Sequence, residues 1–184
     1  MQPIKYLWAV RALLYKMSFS KIGNLSYIGK PLYIEGRKNI SIGNRVRIYP
    51  GIRMEALNDG RIHIGNNLAI EQNVHIISGN SVMNIGDDTT ISANVFISNV
   101  DHEYTDIEKS VMEQQLQFKE TQIGNSCFIG YGAVILPGTK LGKHCIVGAN
   151  AVVRGTYPDN CVLAGNPAKI VKKYNYELKR WENN

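Results

Sequence analysis

Aliphatic residues recur along most of this chain at a spacing of six. They stand at Ile22, Ile28, Ile34 and Ile40, then at Ile42, Ile48 and Met54, at Ile64, Ile70 and Ile76, and at Ile85, Ile91 and Ile97. The longest run is Ile123, Ile129, Ile135, Leu141, Val147 and Val153. A second set of small or β-branched residues follows each aliphatic by four: Val46, Ile52, Leu68, Val74, Thr89, Val95, Cys127, Ala133, Thr139, Cys145 and Ala151. A helix would need spacings of three and four, and a simple half-buried strand would alternate by two. A period of six fits short strands joined by tight corners, with Gly and Asn expected to supply positive φ there. The pattern predicts an all-β solenoid, a parallel β-helix with a narrow, tightly packed interior.

Such a solenoid leaves open strand edges only at its two ends, and both need caps. Residues 1–21 are expected to provide the first. Within them Ile4, Leu7, Trp8, Val10, Leu13, Leu14 and Met17 read as an amphipathic helix. Residues 22–167 form the solenoid, and 168–184 read as a helical or extended second cap. The register slips at 55–63 and 77–84, as corner insertions would make it do, and is lost over 99–122. A break of that length in a strict repeat predicts an extruded loop, where function commonly resides.

Hydrophobic residues make up 44% of the 184, and charged residues 20%, which suits a chain that buries a core. No apolar run approaches the ~18 residues of a membrane span. Arg11 and Lys16 interrupt the opening stretch where a signal peptide would be continuous. The default setting is therefore cytoplasmic. The net charge of +6 is uneven, because 99–122 alone carries −4 and the rest +10. Without a basic stripe or interleaved aromatics it does not point to nucleic acid, but it suits an anionic ligand bearing several phosphates. Three cysteines with no C-x-x-C pair indicate neither a disulfide framework nor a zinc ribbon. Cys127 and Cys145 fall on interior positions of the repeat and read as core.

Three features occur together: the repeat, the run Phe96-Ile97-Ser98-Asn99-Val100-Asp101-His102-Glu103-Tyr104 opening the loop, and a closing Val152-Val153-Arg154-Gly155-Thr156-Tyr157-Pro158 followed by Ala164-Gly165-Asn166-Pro167-Ala168-Lys169. In these the chain resembles the hexapeptide-repeat acyltransferases, above all the galactoside and maltose acetyltransferases and the O-acetyltransferases of surface polysaccharides. The resemblance covers residues 22 to about 172. It implies a left-handed β-helix, a homotrimer with active sites between neighbouring prisms, and transfer of an acetyl group from acetyl-coenzyme A to a saccharide. It implies no required metal.

An alcohol becomes a competent nucleophile only as its proton is removed, and imidazole suits that task near neutrality. The family's catalytic His falls at the start of the loop, where this chain has His102. The resemblance further implies acceptor contacts at Asn73 and His75, an oxyanion-stabilising backbone amide at Tyr131, and a pantetheine contact at Ala149. Arg154 and Gly155 stand where a Thr-Lys pair meets the cofactor, and Lys169 and Lys172 stand near its adenosine phosphates. Asn73 is equally open to being a corner residue with positive φ, His75 to being surface, and the lysines to being solvated charge. Asp101 and Glu103 either orient the imidazole or are solvated. His63 and His144 read as surface.

The nearest rival function is N-acetylation of a nucleotide-linked amino sugar. Members of that group usually carry an added N-terminal nucleotide-binding domain, and only residues 1–21 precede the first hexad. A carbonic anhydrase on the same prism would need three converging histidines, and the four here lack its paired spacing. A non-enzymatic scaffold would leave the His loop without a role. The N-terminal helix, with Lys5, Arg11 and Lys16, is open to resting on a membrane surface as well as to capping the coil.

Overall fold

A computed structural model describes residues 3–184; Met1 and Gln2, the start of the expected cap, lie outside them. Among the described residues the chain forms one α-helix, α1 (Pro3–Tyr15), and three stacked-strand sheets wound into a prism. Sheet A runs through seven strands from Lys21–Ile22 to Thr156–Tyr157. Sheet B starts at Tyr27–Ile28 and sheet C comprises six strands from Tyr33–Glu35 to Val152–Val153. Successive coils pair in parallel and in register. Ile28 lies beside Ile48, then Ile70, Ile91, Ile129, Val147 and Leu163, all fully buried. The period of six is thus one side of the prism per repeat. Of the aliphatics that define it, Ile34 in the first coil is only partly covered. The second set, Val46 through Ala151, is buried throughout.

The corners differ from expectation in one respect. Gly43, following its aliphatic, is not among the residues with positive φ. A Cβ there would lie 2.3 Å from the carbonyl oxygen of Gly65 in the next coil, so glycine is required by stacking distance. The left-handed conformation falls two residues later, on Arg45, Asn67, Asp88, Ser126, His144 and Asn160, and on Leu25 in the first coil. Between them sits a ladder of side-chain acceptors. The Asn24 amide donates to Asn44 Oδ1 at 2.8 Å, Asn44 to Asn66 Oδ1 at 2.9 Å, and Asn66 to Asp87 Oδ1 at 2.6 Å. Each carboxamide or carboxylate satisfies a corner amide of the preceding coil that the sheets leave over.

All departures from the period occur at the corner between sheets C and A. The slips at 55–63 and 77–84 are longer strands, Arg53–Leu57 and His75–Gly79, paired from Arg53↔His75 to Leu57↔Gly79, with tight turns after each. In the following coil the same corner extrudes the long loop. It begins and ends as an antiparallel hairpin of Val100–His102 with Leu116–Phe118, and Gln122 already belongs to sheet A.

The two ends are capped differently. Helix α1 buries Ala12 against the core end, with Phe19 just beyond it, and lays Trp8 on the outer rings of Tyr27 and Tyr49, at 5.8 and 5.6 Å. Arg11 Nη1 donates to the Ile28 carbonyl at 3.0 Å. The helix therefore covers part of the first coil and part of the outer face of sheet B. At the other end the extended alternative holds: Ala168–Asn175 returns antiparallel along Cys161–Gly165 and pairs with Arg180–Asn183.

Candidate active site

The extruded hairpin is held at its root by a buried asparagine. Asn99 Oδ1 accepts the Gly79 amide at 2.7 Å, and its Nδ2 points at Ser81 Oγ at 2.8 Å and the Gly79 carbonyl at 3.2 Å. Its carbonyl accepts the Lys119 amide at 2.9 Å, tying the outgoing strand to the incoming one. Thr121 Oγ1 completes the root, 3.0 Å from the Ser98 carbonyl and accepting the Gly138 amide at 3.0 Å. Gly79 is obligatory, because a Cβ would meet the Phe118 ring at 2.4 Å. Phe118 and Val100 sit on that bare backbone, fixing the hairpin's angle to the prism. Asn99 stands in the loop-opening motif of the sequence, but its burial and its bonds to the previous coil arise only in the fold.

His102 ends the first hairpin strand, exposed, with no hydrogen bond to either ring nitrogen among the described residues. Neither neighbouring carboxylate touches the imidazole. Asp101 accepts the His102 backbone amide on Oδ1 at 3.1 Å and pairs through Oδ2 with Arg154 Nη2 at 3.1 Å. Glu103 accepts the amides of Tyr104 and Thr105 and bonds Gln117. The hydrogen bonds from Thr105 and Gln117, with those amides, hold its carboxyl below the usual range. Both acids shape the loop rather than the imidazole.

The remaining candidates flank sheet C. Tyr131 and Ala149 occupy its corner with sheet B in successive coils, where a Cβ on Gly130 would lie 2.7 Å from the Ala149 nitrogen. Neither amide has a partner among the described residues, so both are available to a ligand. The Tyr131 hydroxyl accepts Asn94 Nδ2 at 2.6 Å. Arg154 and Gly155 lie at the opposite corner, beneath the hairpin, Gly155 with φ +115° and open space where a Cβ would stand. Lys169 and Lys172 are exposed on the C-terminal strand beside Ala164 and Val162. Asn73 sits in a left-handed corner with φ 57°.

His75 lies on the outer face of sheet C in a cluster that sequence reasoning missed. Its Nε2 is 2.7 Å from Glu55 Oε1, and Arg53 Nε is 2.6 Å from the same oxygen. Phe96 packs edge-on against the imidazole at 5.3 Å. The signal was the strand period: Arg53 and His75 occupy one outward column, Glu55 the next. Burial alone would raise the Glu55 carboxyl, but the bonds from Arg53 and His75 outweigh it and hold the group below its ordinary 4.5. A carboxyl depressed in the folded state stabilises it above that ordinary value and loses the contribution as pH falls through the folded value. Glu55→Gln should therefore flatten the acid limb of the stability curve, read as Tm against pH from neutrality to below 4.5. Unchanged acid dependence would show that the cluster carries no such linkage.

Cys127, Cys145 and Cys161 are buried, and Cys145 and Cys161 stack with their sulfurs 3.6 Å apart. Burial pushes the Cys161 thiol up to about 12, which leaves it protonated at neutral pH. Among the described residues no group of three or more His, Cys, Asp or Glu is placed to hold a metal ion, and no helix is long and apolar enough to cross a membrane.

Residues 120–155 match the family model for the bacterial transferase hexapeptide (six repeats). The chain is 39% identical over 166 residues to "Putative lipopolysaccharide biosynthesis O-acetyl transferase WbbJ" of Escherichia coli, covering 86% of this chain and 84% of that one. It is 29% identical to the galactoside O-acetyltransferase of Lactococcus lactis, over 88% of this chain and 67% of the relative. Among solved structures, AntD, an N-acyltransferase from Bacillus cereus in complex with dTDP and 3-hydroxybutyryl-CoA, superposes with a TM-score of 0.78 at 20% identity, over 91% and 90% of the two chains. A galactoside acetyltransferase in complex with coenzyme A superposes with a TM-score of 0.66 at 22% identity, over 98% and 82%. The structural likenesses speak for the prism and the sequence likeness for the lineage: the chain belongs to the hexapeptide-repeat acyltransferases and is an acetyltransferase.

Proposed function

We propose that this acetyltransferase moves an acetyl group from acetyl-coenzyme A to a saccharide hydroxyl, in the assembly of a surface polysaccharide or lipopolysaccharide. The observation that carries the proposal is His102, displayed unpartnered on a hairpin rooted in the prism, in a chain similar along 86% of its length to WbbJ. His102 takes the acceptor proton as the hydroxyl oxygen attacks the thioester carbonyl. It returns that proton to the departing thiolate, so the imidazole ends neutral. The free Tyr131 amide suits the developing oxyanion, and the free Ala149 amide suits the pantetheine arm. Arg154, Gly155, Lys169 and Lys172 are the residues for the cofactor's remaining length and phosphates. Asn73 and His75 are assigned to the acceptor, in a cleft completed by a neighbouring copy of a homotrimer. The setting is the cytoplasm, at the inner face of the membrane.

A second reading, N-acylation of a nucleotide-linked amino sugar, is favoured by the closer superposition on AntD than on the galactoside enzyme. Thiol release from acetyl-coenzyme A, measured over a panel of saccharides and nucleotide-linked amino sugars, separates the two. An ester product, cleaved by alkaline hydroxylamine, supports the first; a hydroxylamine-stable amide supports the second. Acceptor-independent release alone would remove both.

A further inference from the structure

Helix α1 is apolar nearly all round, a composition that belongs in a buried helix, yet the prism covers only one side of it. Ile4, Leu7, Val10, Leu13, Leu14 and Met17 remain exposed, Leu14 by 65% and Met17 by 92%. The first coil adds two more exposed aliphatics. Leu25 and Leu32 stand out at two of its corners, 81% and 74% exposed. Leu25 also holds the left-handed φ of +58° that later coils give to Arg, Asn, Asp, Ser and His at the same corner. An aliphatic side chain in that conformation is strained, and nothing in the chain packs on it.

Charge identifies what covers this end. Residues 1–53 hold ten of the 21 Lys and Arg and one of the 15 Asp and Glu, Glu35, a net +9, while the remainder is −3. Lys16, Lys21, Lys30, Arg37 and Lys38 are exposed around the helix and the first coil. A second copy meeting this face with its own would bring like charge together, whereas an anionic surface complements it. We infer that the N-terminal end of the solenoid rests on an anionic lipid bilayer, with the outer face of α1, Leu25 and Leu32 among the headgroups and the basic rim over the lipid phosphates. An interfacial helix of 13 residues with basic flanks suits that depth. The inference is independent of the acceptor.

The test floats the full-length protein on density gradients with vesicles of phosphatidylcholine, alone or mixed with phosphatidylglycerol. Flotation is expected with the anionic vesicles, reversed by high salt and absent with the neutral ones. Each Lys or Arg near the surface is worth about fivefold, so Lys21→Glu with Lys30→Glu should lower partitioning at least about tenfold. Leu25→Asn, whose new side chain suits the corner, should weaken flotation without lowering Tm. Equal flotation with neutral vesicles, or none with either, would overturn the proposal. So would variants that change oligomeric state by light scattering and leave flotation untouched, an outcome that assigns the face to a second copy.

Discussion

With His102 as the proposed base, His102→Ala is expected to lower acceptor-dependent acetyl transfer by about 10²–10⁴-fold, the usual contribution of one positioned acid–base residue. The loss should fall on kcat, because a base engages the acceptor proton only as the oxygen attacks, so removing it leaves ground-state binding of both substrates in place. Tm stays unchanged, since the exposed ring forms no bond to the rest of the chain. Steady-state kinetics with wild type and variant side by side decide the matter. Equal turnover in the two proteins would remove His102 as the base and leave the acetyl transfer to another group.

Asn99→Ala removes the pin at the root of the hairpin. The Gly79 amide and the Ser78 hydroxyl lose a partner where both are buried, and the half-buried Ser81 hydroxyl loses the same donor. An unsatisfied buried group costs about 1–3 kcal/mol, which for a chain of this size lowers Tm by roughly 2–12 °C. The more telling effect is positional. With the root loosened, the hairpin bearing His102 and the Asp101–Arg154 ion pair is no longer held against the prism, and turnover falls with KM rising beside it. Asn84→Ala, on the exposed outer side of the strand Val82–Ile85, serves as control. Hydrogen exchange at the Gly79 amide reads the same event directly, and protection equal to wild type would show that the hairpin is held some other way.

The period of six carried nearly the whole scaffold. The Ile28 to Leu163 ladder and the inner column from Val46 to Ala151 are buried as their spacing required, because each hexad is one side of the prism and its buried residue has a single inward direction. The extruded loop was equally legible, because a strict repeat makes its own interruption visible. Ile34 is less covered than its spacing implied, since α1 packs chiefly on the first-coil strands that carry Ile22 and Ile28, which are buried. The corner glycines were legible as glycines but not for their reason: their constraint is the backbone or the ladder side chain of the next coil, a contact between residues far apart in the chain.

Sequence alone determined, then, the solenoid, its direction of stacking, the loop and the histidine on it. Local order in a repeat is set by neighbours in the chain, and a period exposes it. Only the tertiary structure decided that Asp101 reaches Arg154 instead of the imidazole, that Asn99 locks Gly79, and that Glu55 gathers Arg53 and His75. It also decided that α1 turns an apolar face outward. Each of these is a contact between coils or across a corner, where the partner's identity depends on how many residues each coil spends before closing.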